Sequence, residues 1–211
     1  MNHIDKRNEA LANTLIRNLK RRHIQAVYCP TSKEAVQTLI DMLPNKAVIT
    51  WGGSATIRDI GVPQALRDNG SFIIKDRDLA SSPEEAQDIY RQAFHADVYL
   101  SSANAISQDG VIVNIDGNGN RVAAITFGPK QVIFLIGINK ICQDVDSAIK
   151  RARATASPIN AARFSINTPC QTDGICHSCN STDSICNYIH LLRNSPRDRH
   201  KVILIGEDLG Y

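Results

Sequence analysis

Four cysteines near the end of the chain carry the clearest chemical signal. They are Cys170, Cys176, Cys179 and Cys186, spaced C-x5-C-x2-C-x6-C, four thiols within 17 residues. A C-x2-C turn directs two thiolates to one ion or cluster, and flanking loops supply the others. Tetrahedral zinc sites more often combine two C-x2-C knuckles, and only one is present here. Compact single-loop 4Fe–4S sites use spacings of this kind. The pattern therefore predicts a metal site, with a 4Fe–4S iron–sulfur cluster as the first reading and zinc as the alternative. His177 sits inside the C-x2-C turn. It is a possible substitute ligand, but four thiols suffice, and a solvent-facing turn position is expected. Cys29 and Cys142 stand alone and are expected as small buried hydrophobes.

A second set of residues points to anion binding. Gly52, Gly53 and Ser54 follow a short apolar stretch at 47–51 and precede a helix. Glycines let backbone amides approach a ligand, and a helix start offers free N–H groups to an anion. The same three residues also suit a plain strand-to-helix turn with Ser54 as the cap. The polar run Asp116-Gly117-Asn118-Gly119-Asn120-Arg121 reads as a hairpin loop. It either places Asp116, Asn120 and Arg121 at a site or serves only as a wide turn. A guanidinium at 121 offers carboxylate or phosphate a bidentate contact that an ammonium cannot reproduce. Lys130 and Lys140 follow two strands, and open α/β sheets bind ligands at strand ends. Gly52, Gly53, Ser54, Asp116, Asn120, Arg121 and Lys140 are thus expected to border the main cavity. Asp59, Asp116 and His95 are candidate acid–base groups, with no recognisable triad or carboxylate pair. His95 ends an amphipathic helix, where a structural role is expected.

These residues must be positioned by an alternating framework. Stripes at Leu11, Leu15, Ile16 and Leu19, and at Val36, Leu39, Ile40 and Leu43, have helical period. Thr31 and Glu34 open the second as a capping box. Ser82, Pro83 and Glu85 mark another helix start, and residues 144–156 read as one more. Strands are predicted at 25–29, 47–51, 72–74, 98–100, 111–115, 122–127, 131–137 and 202–205, with 111–115 and 122–127 paired as an antiparallel hairpin. Residues 158–194 read as a loop-rich excursion holding the cysteines. The expected architecture is one α/β domain over 1–211: a largely parallel sheet, covered by helices on both faces, plus the hairpin.

Composition sets limits. An apolar content of 43% suits a globular chain rather than a disordered one, and 24 basic against 21 acidic residues leave a net charge of only +3. That balance gives no support to nucleic-acid binding, and the basic runs at 17–23 and 193–201 read as solvated surfaces. The first residues carry no apolar core of a secretory signal, and no stretch is long and apolar enough to span a bilayer. A cytoplasmic location, where thiols stay reduced, is therefore expected.

Taken in order, several motifs resemble the LUD-domain (lactate-utilisation) family. They are Gly52–Ser54 ahead of Asp59-Ile60-Gly61, the run from Asn114 to Ala124, Phe127-Gly128-Pro129-Lys130, Gly137-Ile138-Asn139-Lys140, and the tail from Thr168-Pro169-Cys170 to Ile185-Cys186-Asn187. The family often has Glu where this chain has Asp59. The resemblance implies a fold similar to the ribose-5-phosphate isomerase, glucosamine-6-phosphate deaminase and CoA-transferase group. It also implies a link to oxidation of L-lactate, or another small organic acid, through iron–sulfur partners. The four-cysteine tail is that of the stand-alone branch. Two other functions compete with a redox component and its partner protein. One is an enzyme acting on a phosphorylated or CoA-like anion, with a structural metal. The other is a non-catalytic regulatory or interaction protein.

Overall fold

A computed structural model describes residues 2–211. The chain begins with α1 (His3–Arg21), opened by a capping box between Asn2 and Asp5 and buried through Ala12, Leu15 and Leu19. β1 (Gln25–Cys29) leads to α2 (Ser32–Met42), where the Thr31 hydroxyl accepts the Glu34 N–H at 3.2 Å. β2 (Val48–Trp51), α3 (Ala55–Asp59), α4 (Val62–Asn69) and β3 (Ile73–Lys75) follow. Then come α5 (Pro83–Gln92), β4 (Val98–Ser101), β5 (Ala105–Ser107), β6 (Ile112–Asp116) and α6 (Asn120–Thr126). β7 (Gln131–Gly137), β8 (Ile141–Cys142), α7 (Val145–Arg151), α8 (Ser157–Ala161), α9 (Pro169–Asp173), β9 (Tyr188–Leu192) and β10 (His200–Ile205) complete the order.

Six strands form a wholly parallel sheet in the order β1-β10-β7-β4-β2-β3. Side chains alternate across it with the two-residue period of a strand. Val132, Phe134 and Ile136 of β7, with Val202 and Leu204 of β10, pack on the α1 side. Ile133, Leu135, Ile203 and Ile205 pack on the opposite face with Leu39, Ile57 and Leu66 of α2, α3 and α4. Burial on both faces explains why these strands read as continuous apolar runs. No helix among the described residues is long and apolar enough to cross a membrane.

A second sheet, in the order β8-β5-β6-β9, lies beyond the carboxyl end of β4. Here the expected hairpin is corrected. β6 does pair antiparallel, but with β5 before it and β9 after it, and residues 122–127 are not a strand. They belong to α6. The Asp116 carboxylate accepts N–H groups from Asn118 and Gly119 at one oxygen and from Val122 at the other, at 3.0–3.2 Å. That capping, with Gly119 left-handed at φ +79°, starts a helix. Val122 and Ile125 are buried three residues apart, a spacing that a short apolar run does not reveal.

Two other expectations also change. The helix predicted over 144–156 is α7, capped by Asp144, continuing through one π-type turn at Ala152–Ala156 into α8. Pro158 has no N–H for an ordinary helical bond, and the Ala152 carbonyl accepts both the Ser157 N–H and, at 2.9 Å, the Ser157 hydroxyl. The excursion at 158–194 is also less irregular than expected. It contains α9, and its end returns as β9, in register from Asp116–Tyr188 to Ile112–Leu192.

Candidate functional site

Three neighbouring strands of the parallel sheet deliver three side chains to one point. Thr56 follows β2, Ser102 follows β4, and Lys140 ends the short turn after β7. The Lys140 ammonium donates to Thr56 Oγ1 at 2.9 Å and to Ser102 Oγ at 3.1 Å. Lys140 is 2% exposed and has no acidic partner within ion-pair distance among the described residues. Desolvation, followed by the nearby charges of Arg151 and Arg121, pushes its pKa down to about 7, against a weaker pull from Asp59.

This point is part of a cavity of about 400 Å³, which also takes in Gly53, Ser54, Asp116, Asn120 and Arg121. Four basic side chains line it, those of Arg77, Arg121, Lys140 and Arg163, against the one acidic side chain of Asp116. That carboxylate is occupied by its three backbone N–H donors. It also lies 3.6 Å from Arg121 Nε. Arg121 is further held by the Ile115 carbonyl and Asn104 Oδ1. Arg77 lies over the Tyr90 ring at 5.1 Å. Its Nε is 3.3 Å from Asp78 Oδ1, without the alignment of a hydrogen bond. The balance of side-chain charge in the cavity is therefore positive.

Gly53 and Ser54 of the glycine turn line the cavity, and the turn also takes the cap arrangement. Ser54 Oγ accepts the Ile57 N–H at 3.3 Å and caps α3. Gly52 does not line the cavity; a Cβ there would lie 2.8 Å from the Tyr99 hydroxyl and 3.5 Å from the Arg121 side chain. A Cβ at Gly53 would lie 2.5 Å from an Arg77 nitrogen. Gly53 thus lets the Arg77 guanidinium lie against the backbone, and Gly52 leaves room for the Tyr99 hydroxyl. Lys130 is not part of the cavity and pairs with Asp97 at 2.7 Å. Asp59 and His95 are exposed and also lie outside it. Arg77, Asn104 and Arg163 were not found from sequence. Thr56 and Ser102 were also missed, although their places just beyond apolar strands were a usable signal.

The four clustered cysteines line a second cavity, of about 260 Å³, with Arg153, Ser157, Pro158, Ile115 and Ile189. None is disulfide-bonded. Burial raises the Cys186 pKa, the Ser157 hydroxyl opposes that shift, and the other three thiols add to it. The Thr168 hydroxyl lies 3.4 Å from Cys170 Sγ. His177 lines this cavity and is also bound to Asp173 at 2.7 Å. No three His, Cys, Asp or Glu side chains among the described residues are grouped as ligands of one metal ion. Cys29 is buried beside Thr38 and Cys142 is half-buried, both away from the cluster.

The two cavities adjoin. Ile115 lines both, and Ser184 and Ile185 line the first directly before Cys186 lines the second.

Fold and site together define an α/β protein with a cation-lined cleft at strand ends and a four-thiol pocket beside it. The LUD domain family model matches residues 12–205, and the chain belongs to that family. It is similar to a crystal structure of a DUF162-family protein from Deinococcus radiodurans, with a TM-score of 0.56 at 14% identity over 94% of this chain and 98% of that one. The ribose 5-phosphate isomerase of Plasmodium falciparum matches with a TM-score of 0.35 at 11% identity, over 53% of this chain and 52% of that one. The eIF2B delta of Chaetomium thermophilum matches with a TM-score of 0.36 at 14% identity, over 68% and 57%. No curated protein matches the chain.

Proposed function

We propose that this LUD-domain protein is an iron–sulfur redox component that binds a small organic anion, lactate or a related acid, next to its cluster. The observation that carries this reading is the shared wall: Ile115 and the 184–186 segment separate a cationic cavity from a four-cysteine cavity. A group bound in the first is thereby one side-chain layer from a group bound in the second.

The residues present fit a 4Fe–4S cluster. All four thiols border one cavity with apolar walls, and Arg153 offers a counter-charge to thiolates. Cys170, Cys176, Cys179 and Cys186 would hold the cluster, and it would supply one-electron transfer. Around it, Ser157 and Thr168 hydroxyls act on the Cys186 and Cys170 sulfurs. In the first cavity Arg121 and Arg77 orient a carboxylate, and Lys140 with its two hydroxyls faces the remaining polar groups. A partner protein would exchange electrons with the cluster in a reducing compartment.

The test is anaerobic purification followed by iron, sulfide and zinc analysis, with visible and electron paramagnetic resonance spectra. The reading expects brown protein with about four irons per chain, and a cluster spectrum perturbed by L-lactate or pyruvate. Colourless protein carrying one zinc rejects the redox reading.

A further inference from the structure

We propose that Lys140 is a carbonyl-capturing lysine: its Nζ, between the Thr56 and Ser102 hydroxyls in the cation-lined cavity, condenses with the carbonyl of a 2-oxo acid to form an imine. This rests on the reading of that cavity as an organic-anion site and names the chemistry of its occupant.

The case begins with what Lys140 lacks. A lysine this buried is ordinarily paired with a carboxylate, because an isolated ammonium is costly to desolvate. Its only hydrogen-bond partners among the described residues are two neutral hydroxyls. The carboxylate of Asp116 lines the same cavity but is taken up by the Asn118, Gly119 and Val122 N–H groups. The charged groups acting on Lys140 are Arg151 from α7, Arg121 from α6 and Asp59 from α3, two cations against one anion. Two hydrogen bonds leave the nitrogen with further valence toward the cavity it lines.

The surroundings suit carbonyl capture. Arg77 offers its guanidinium to the carboxylate of a 2-oxo acid, and Arg121, held by Ile115, Asn104 and Asp116, adds positive charge beside it. That would leave the acid's adjacent carbonyl to the amine. The Ser102 and Thr56 hydroxyls lie 3.3 Å from each other and within reach of Nζ, so they can pass protons during the reaction. A pKa near 7 leaves a free-amine fraction at pH 7 on the order of a thousandfold larger than that of an ordinary lysine.

The step balances without an oxidant or reductant. The amine lone pair attacks the carbonyl carbon and a C–N bond forms. Both amine protons then pass to the former carbonyl oxygen, which leaves as water, and the C=N bond remains.

The experiment uses the intact, anaerobically purified protein with pyruvate, and separately glyoxylate, at pH 7. Sodium cyanoborohydride supplies hydride to trap any imine as a stable secondary amine, and peptide mass mapping locates it. The expected result is a carboxyalkyl group on Lys140 formed about a hundredfold faster or more than on the exposed Lys33. Lys140→Met should remove that adduct, and Ser102→Ala should slow it by about tenfold while leaving Lys140 in place. Calorimetric binding of pyruvate without reductant is measured in parallel. If pyruvate binds and Lys140 stays unlabelled with both oxo acids, the imine is wrong and the anion site stands. If neither binding nor labelling occurs, both fall. Labelling spread over surface lysines also overturns the proposal.

Discussion

Asn187 donates its side-chain amide to the Gly117 carbonyl at 3.0 Å and to the Ser184 carbonyl at 3.2 Å. One side chain thus ties the cysteine segment to the turn that leads into Asn120 and Arg121. Gly117 is glycine for the same reason, since a Cβ there would lie 3.1 Å from the Ile185 backbone. The turn that carries Asn120 and Arg121 into the first cavity is therefore fastened to the cysteine segment. Asn187→Ala should loosen both. The expected change is about a fivefold weaker affinity for pyruvate, as fits the loss of about 1 kcal/mol of hydrogen bonding. Titration calorimetry reads it, and unchanged affinity would show that the two sites are uncoupled.

Replacing Cys176 or Cys179 with Ser should abolish the proposed cluster and leave the parallel sheet folded. The segment between α9 and β9 has little apolar core, so the proposed metal would supply its folding energy. Limited proteolysis should cut the variants within residues 174–187, while far-ultraviolet circular dichroism stays close to wild type. Equal protease resistance in variant and wild type would mean that metal does not hold this segment.

Arg77 separates anion binding from folding better than Arg121 does. Arg121 braces Ile115, Asn104 and Asp116, so Arg121→Lys should weaken binding and also lower the melting temperature. Arg77 makes a cation–π contact with Tyr90 and one poorly aligned approach to Asp78. Arg77→Gln should weaken binding of a carboxylate anion about tenfold or more, with a melting temperature close to wild type. Binding unaffected by Arg77→Gln would remove it from the site.

Acid stability should report His200. Its ring lies between the Ser195 hydroxyl and the Ile125 carbonyl, both at 2.9 Å, and is 1% exposed. Desolvation lowers its pKa from 6.5 to about 4. Between those values the unfolded chain binds the proton that the folded one refuses. The stability linked to His200 is therefore complete above pH 6.5 and declines as pH falls toward 4, by at most about 3 kcal/mol. Urea midpoints at pH 7.5 and pH 5 measure this. His200→Gln should show a smaller drop between the two; an equal drop would assign the effect to other groups.

Local chemistry was readable in the residues themselves. The four thiols of the C-x5-C-x2-C-x6-C spacing border one cavity, within a single short segment of the chain. Thr31 and Ser82 cap their helices as their neighbours suggest, and the apolar run at 131–137 forms a strand buried on both faces. Residues 122–127 were misread because a short apolar run satisfies either period. The choice there was made by a carboxylate six residues before Val122, through hydrogen bonds that only the folded turn permits. Tertiary structure alone made Lys140 a buried amine between two hydroxyls and brought Arg77 and Arg163 to the same cavity. It also put Ile115 between that cavity and the cysteines. Those relations follow from a strand order, β1-β10-β7-β4-β2-β3, that departs from chain order. Periodicity and capping report which face of an element is buried, whereas the neighbours it meets depend on strand pairings between distant segments.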